Sequence, residues 1–185
     1  ILVEKPLFHK TSNLKKIRNK ILVGYNLRFH PIIQFIKKIT NKHKILSTEI
    51  YCSSYAPNWR NRTFKKTSTS SKKLSGGILH ELSHEIDYAR FLLGDLKKIN
   101  IFMKKNSNLK INFHDYANII ATSKYKGVVN INLNYYSKLT KRFIILDTNK
   151  LSLFGDLING IILYKYKNGV IKKKKFLVNK DYTYK

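Results

Sequence analysis

The 185-residue chain is 43% hydrophobic and 12% aromatic, which suits one packed domain, or one and a part of another, and excludes a disordered segment. Its formal net charge of +27, from 37 Lys and Arg against 10 Asp and Glu, favours anionic partners; but the lysines are spread along a chain also rich in Ile and Asn, as in products of AT-rich genomes, so a solvated basic surface is expected and nucleic-acid binding is not. Cys52 is the single cysteine, which excludes an intramolecular disulfide and a cysteine-based metal site and makes the cytoplasm the default compartment, and no apolar run reaches the roughly 20 residues of a helical membrane span.

Ile1-Leu2-Val3 has the apolar character of a buried strand, ended by Glu4-Lys5-Pro6, where proline blocks further pairing. Residues 11–19 predict a polar surface helix capped by Thr11 or Ser12. Ile21-Leu22-Val23 then returns as a second buried strand, and Gly24 lets the chain turn or pass close to a ligand. Pro31 suits the first position of a helix reaching Thr40, with Ile32, Phe35, Ile36 and Ile39 turned inward. Arg28, just before it, suits either an anionic ligand or a surface ion pair. Residues 45–53 predict a strand, and residues 54–74 a long polar loop. The chain's sole tryptophan, Trp59, lies in that loop beside Arg60 and favours a functional role for it.

Residues 75–95 predict one helix with Ser75 or Gly76 at its start, Gly94 at its end, and Ile78, Leu82, Ile86, Ala89 and Leu93 as its inward stripe. Glu81, Glu85, Asp87 and Asp95 gather there beside His80 and His84. His80-Glu81-Leu82-Ser83-His84 fits the H-E-x-x-H pattern of a zinc hydrolase, although Glu85 follows where such helices stay apolar and no third ligand is marked. Glu81 and His84, at i and i+3, also fit a carboxylate and imidazole pair for proton transfer. An amphipathic helix with a polar face is the third reading.

Beyond this helix the pattern turns to strands at 99–104, 110–113, 116–123, 127–135, 141–147, 151–154 and 161–167, then a hairpin turn at Asn168-Gly169 into 170–178. Alternation such as Val129-Asn130-Ile131-Asn132-Leu133 predicts one buried and one wet face. The expected class is α+β, a large open and mostly antiparallel sheet with helices on one face.

Four motifs in order resemble the Gfo/Idh/MocA family of NAD(P)-dependent oxidoreductases, in particular its sugar-modifying members: Glu4-Lys5-Pro6; residues 23–31 around Tyr25, Asn26 and Arg28; residues 54–60 around Trp59 and Arg60; and Gly76-Gly77 with residues 81–87. The resemblance implies the family's C-terminal domain, with residues 1–23 as the end of a nucleotide-binding domain and 24–185 as a substrate-binding and oligomerisation domain. The glycine-rich Rossmann domain is then expected ahead of Ile1, and a final helix beyond residues 181–184. NAD or NADP would be held mainly by that domain, with Glu4, Lys5 and Pro6 at its edge. Lys5 would hydrogen-bond the reacting hydroxyl, His84 would be the general acid or base, and Glu81 would orient it. Tyr25, Asn26, Arg28, Trp59, Arg60 and His80 would line the pocket for a sugar or nucleotide sugar, anionic in keeping with the charge. Many members carry an aspartate where this chain has His80. The resemblance also implies a homo-oligomer formed through the open sheet. The expected reaction is sugar oxidoreduction, with zinc hydrolysis and nucleic-acid binding as the alternatives.

Overall fold

The alternation along the second half of the sequence becomes one large sheet in the computed structural model, which describes residues 1–5, 20–59, 77–124 and 127–178. In chain order its elements are β1 (Leu2–Val3), β2 (Leu22–Val23), a 3-10 turn at Asn26–Phe29, α1 (Pro31–Thr40), β3 (Ile45–Tyr55), a 3-10 turn at Ala56–Trp59, α2 (Ile78–Glu81), α3 (Ser83–Leu93), β4 (Lys97–Lys104), β5 (Tyr116–Thr122), β6 (Val128–Asn134), β7 (Tyr136–Thr148), β8 (Leu151–Asp156), β9 (Ile161–Tyr166) and β10 (Lys172–Lys175). The sheet runs β10-β9-β8-β7-β3-β6-β5-β4. Its neighbours are antiparallel except β3 and β6, which pair parallel because the chain leaves β3, crosses through α2 and α3, and re-enters through the β4 and β5 hairpin. The class is the expected α+β, and the sheet is mixed through that one pair.

α1 and α3 cover one face. Ile32, Ile33, Ile36 and Ile39 of α1 and Tyr88, Ala89, Leu92 and Leu93 of α3 bury themselves with Ile50, Ile131, Leu133, Ile144 and Leu146 of the central strands. α1 begins at Pro31 as expected, but its cap is His30: Nδ1 accepts the backbone N–H of Ile32 at 3.2 Å while Nε2 donates to the carbonyl of Leu157 at 3.0 Å. Histidine is an uncommon cap, and nothing in the local pattern marked it. On the other face Tyr51 stacks on Phe143 with centroids 5.0 Å apart, and Asn118 donates to Asn130 at 2.9 Å.

Four expectations change. β1 and β2 form a two-stranded parallel sheet of their own, and their facing Leu2 and Leu22 are 71% and 63% exposed rather than buried, because no other described strand joins them. The helix expected over 75–95 is interrupted at Leu82, with φ −98° and ψ 31°. Before that break Ile78 and Leu82 point inward as the stripe predicts; beyond it the buried set is Ser83, Glu85, Tyr88, Ala89, Leu92 and Leu93, and Ile86 is only partly covered. Residues 110–113 form no strand; Ile111 is buried as an anchor, and the turn before it is organised by Asp115, whose carboxylate accepts the backbone N–H groups of Asn106 at 2.7 Å and Ser107 at 3.0 Å. β3 extends to Tyr55, which removes the first residues of the expected loop. Residues 56–59 of that loop form the second 3-10 turn; its remainder from residue 60, the helix at 11–19 and the helix start at Ser75 and Gly76 lie outside the described residues.

Gly155 sits where α1 meets β8, and a Cβ there would lie 3.0 Å from Ile32 Cγ2 and 3.3 Å from Ile144 Cγ2. Gly155→Val should overpack this contact and lower stability by about 1–3 kcal/mol, read as a lower urea midpoint at unchanged slope. An unchanged midpoint would show that α1 can retreat from the sheet.

Candidate functional site

The break at Leu82 is where the site is built. Ending α2 at Glu81 leaves carbonyls that a continuous helix would have bonded further along, and a lysine takes them. β1 and β2 deliver it: Gly24 N–H donates to Val3 O at 2.8 Å, holding the end of β1 beside the helices. Lys5 Nζ then donates to the carbonyls of Glu81 at 2.7 Å and His80 at 3.4 Å. Burial pulls Lys5 below the ordinary lysine range, against the opposing pull of Glu81 and Glu85.

His84 stands in the first turn of α3, edge-on to the Tyr25 ring with centroids 5.7 Å apart. Its Nδ1 is buried with no hydrogen-bond partner among the described residues. Burial first, then the positive charges of Lys5 and Arg142, lower its pKa to about 3, so the imidazole is neutral and can accept a proton. Glu81 acts electrostatically on Lys5 and on Tyr135, and no hydrogen bond among the described residues joins it to the buried Nδ1 of His84.

Beneath His84 lies a buried pair absent from the sequence reading. Arg142 Nε of β7 stands 2.8 Å from Glu85 Oε1, and the Glu85 side chain is fully buried. Burial is the strongest single influence on Arg142 and pulls it down, but Glu85, Cys52 and Tyr88 together outweigh it and raise Arg142 above the ordinary arginine range. Cys52, directly opposite Arg142 in the β3 and β7 ladder, has its thiol pushed up to about 12 by burial and then by Glu85, and the Tyr88 hydroxyl is raised for the same two reasons. Glu85 carried one signal, a charge where the helix pattern wanted an apolar residue. Arg142 carried none among 37 basic residues.

The expected pocket residues divide. Tyr25 meets His84, and Asn26 follows it at the start of the 3-10 turn. Arg28 is engaged within the protein: Nε donates to Asp87 Oδ2 at 2.7 Å and Nη2 to Oδ1 at 2.5 Å, a bidentate bond that ties the turn to α3. Trp59 turns toward the core, edge-on to Tyr135 at 5.1 Å, with Nε1 donating to Ser54 Oγ at 2.8 Å. His80 stays in α2, so the interruption removes the regular i, i+4 face that a zinc-binding H-E-x-x-H needs. Among the described residues no three potential ligands lie together. Pro6 and Arg60 lie outside the described residues.

A cavity of about 570 Å³ opens away from this cluster, at the carboxyl ends of α1 and α3. Its Lys37 donates to the carbonyl of Phe91 at 2.5 Å, the ordinary service of a cation at a helix end.

Residues 44–156 match the family model described as the GFO/IDH/MocA C-terminal domain. No curated protein sequence matches the chain. The fold is similar to levoglucosan dehydrogenase solved with NADH, at 16% identity over 95% of this chain and 54% of that one, with a TM-score of 0.77. It is similar to an inositol dehydrogenase homologue from Azotobacter vinelandii solved with NAD+, at 11% identity over 84% and 43%, with a TM-score of 0.71. It is similar to the UDP-N-acetylglucosamine 3-dehydrogenase of Acidithiobacillus ferrooxidans, at 12% identity over 88% and 48%, with a TM-score of 0.68. At these identities the likeness is one of fold. The chain spans about half the length of these solved structures.

Holding His30 at about 4 and His84 at about 3, both below 6.5, makes folding oppose their protonation. The unfolded chain binds more protons than the folded one below pH 6.5, so stability should fall as the pH drops from there toward 4. Urea midpoints at pH 7, 6 and 5 should decline in that order, and His84→Gln should flatten the decline. A midpoint constant from pH 7 to 5 would contradict neutral burial.

Proposed function

The chain belongs to the GFO/IDH/MocA family, and from that membership we propose that it is the substrate-binding and catalytic part of an NAD- or NADP-dependent oxidoreductase that acts on a hydroxyl or keto group of a sugar or nucleotide sugar. The observation that carries this reading is the meeting of Lys5 and His84 at the break between α2 and α3, with a neutral imidazole whose Nδ1 has no hydrogen-bond partner among the described residues.

In this reading His84 takes the proton of the substrate hydroxyl during oxidation and returns it during reduction. Lys5 donates a hydrogen bond to the same oxygen, and Glu81 offsets its charge. Tyr25 and Asn26 bound the sugar. Arg28 acts by fixing the 3-10 turn through Asp87, and Trp59 by backing the loop that leads to Arg60. His80 contributes its carbonyl to Lys5. A nicotinamide, when bound, supplies the hydride acceptor or donor; Glu4, Lys5 and Pro6 are the residues of this chain proposed to border it, and the buried position of Lys5 beside His84 fits that placement. Residues 1–23 are proposed as the end of a nucleotide-binding domain and 24–185 as the substrate domain, in keeping with a parallel β1 and β2 pair separate from the large sheet. The names of similar structures refer to polyols and sugars, and the net charge of +27 favours an anionic one. We place the protein in the cytoplasm, as a homo-oligomer joined through the sheet face that bears Tyr51 and Phe143.

Intact mass of the native gene product is the direct check: it should exceed 21.7 kDa by roughly 100–150 residues of nucleotide-binding domain. In that protein His84→Asn and Lys5→Met should each lower kcat by about 10²–10⁴, with KM for the sugar nearly unchanged. A native product of 21.7 kDa without affinity for NAD or NADP, or a His84→Asn enzyme of full activity, would overturn the assignment.

A further inference from the structure

We propose that Arg142 is a positioning residue for His84: pairing with Glu85 beneath the first turn of α3, it pins the turn that carries the imidazole and shares with Lys5 the positive charge around it. This rests on the reading of His84 as the proton-transferring group.

The pairing is demanded by burial. The Glu85 side chain is fully buried, and an ionised carboxylate there needs a cation within reach. Arg142 supplies it at 2.8 Å. The register of β3 and β7 sets Arg142 opposite Cys52, on the sheet face covered by the helices, so its guanidinium reaches α3 from below. Stability alone does not explain the pair, because a buried ion pair is commonly no more stabilising than apolar side chains of the same volume. Its location does. Glu85 is the residue after His84, and an uncompensated carboxylate there would raise the pH at which the imidazole takes up a proton.

Lys5 and Arg142 both oppose protonation of His84, which meets the Tyr25 ring edge-on, and Glu81, Glu85 and Glu4 pull in turn on Lys5. Arg142 in turn faces Glu85, Cys52 and Tyr88. Cys52 and Tyr88 both hold their protons, so Glu85 is the one anion among these three. Removing Arg142 therefore leaves the Glu85 carboxylate uncompensated beside His84, whereas removing Glu85 and Arg142 together takes away both charges.

The test is a histidine NMR titration of the native gene product with selectively labelled imidazole carbons, run beside the pH profile of kcat/KM. In the unaltered protein the His84 signal should stay that of a neutral ring down to pH 5. Arg142→Gln should raise its midpoint by at least one pH unit and move the acid limb of kcat/KM the same way, and Arg142→Lys should restore most of both. A folded Arg142→Gln protein whose His84 titrates as before overturns the proposal. Should that variant not fold, Glu85→Gln with Arg142→Gln carries the test: the ring should remain neutral while kcat falls at least tenfold with KM within threefold, and kcat within twofold of the unaltered enzyme overturns the positioning role. A fully active His84→Asn enzyme, together with an Arg142→Gln protein in which the His84 signal still moves, would sink the reading of the site and leave the coupling of Arg142 to His84 standing. The opposite pattern would sink the coupling alone.

Discussion

One buried carboxylate fixes the relation between the helices and the sheet. Glu85 has no exposed side-chain surface, so α3 can dock only where Arg142 meets it. That requirement sets the helix over the boundary of β3 and β7 and explains why the buried stripe is displaced after Leu82. An apolar stripe tolerates small slides along a sheet, because dispersion contacts are replaced by others of the same kind. A single ion pair at the centre does not, since a shift of a few ångströms leaves two charges unpaired in the interior.

The same displacement creates the site. Breaking the helix frees the carbonyls that Lys5 binds, and restarting it presents His84 in a first turn beside Tyr25. Arg28 and Asp87 secure the other side of this arrangement by joining the 3-10 turn to α3 through two hydrogen bonds. Three segments remote in sequence, around Lys5, Tyr25 and His84, thus meet at one interruption, and the cations gathered there favour the neutral imidazole. Membership of the GFO/IDH/MocA family gives this geometry its context.

Period and punctuation made much of the fold legible. Pro31 and the isoleucines after it marked α1, Asn168-Gly169 marked the last hairpin, and alternation around Ile131 marked the core of the sheet. What escaped depends on partners far along the chain. Leu2 and Leu22 look like core residues because apolar runs ordinarily are, and only the pairing of β1 with β2 alone reveals that their outer faces are uncovered. Residues 110–113 alternate like a strand, yet alternation reports which side chains turn inward, not whether a neighbour supplies hydrogen bonds. Arg142 was invisible for a related reason: its meaning lies entirely in Glu85, and local sequence does not encode a contact between β7 and α3. Arg28 was legible as either a ligand group or an ion-pair partner, and its bond to Asp87 accounts for it within the protein.

The placement of β3 at the heart of the sheet has a consequence for synthesis on the ribosome. Both of its neighbours, β6 and β7, lie more than seventy residues downstream. At ordinary elongation rates of about 5–20 residues per second, β3 leaves the exit tunnel several seconds before any strand able to pair with it. During that interval Ile45, Ile50 and the backbone edges of β3 depend on α1, α2 and α3 for cover, as the helices are the only described elements nearby that can form from local contacts. The nascent chain therefore passes through a helix-shielded strand, and conditions that slow translation between residues 93 and 128 lengthen the exposure of an adhesive strand to other chains.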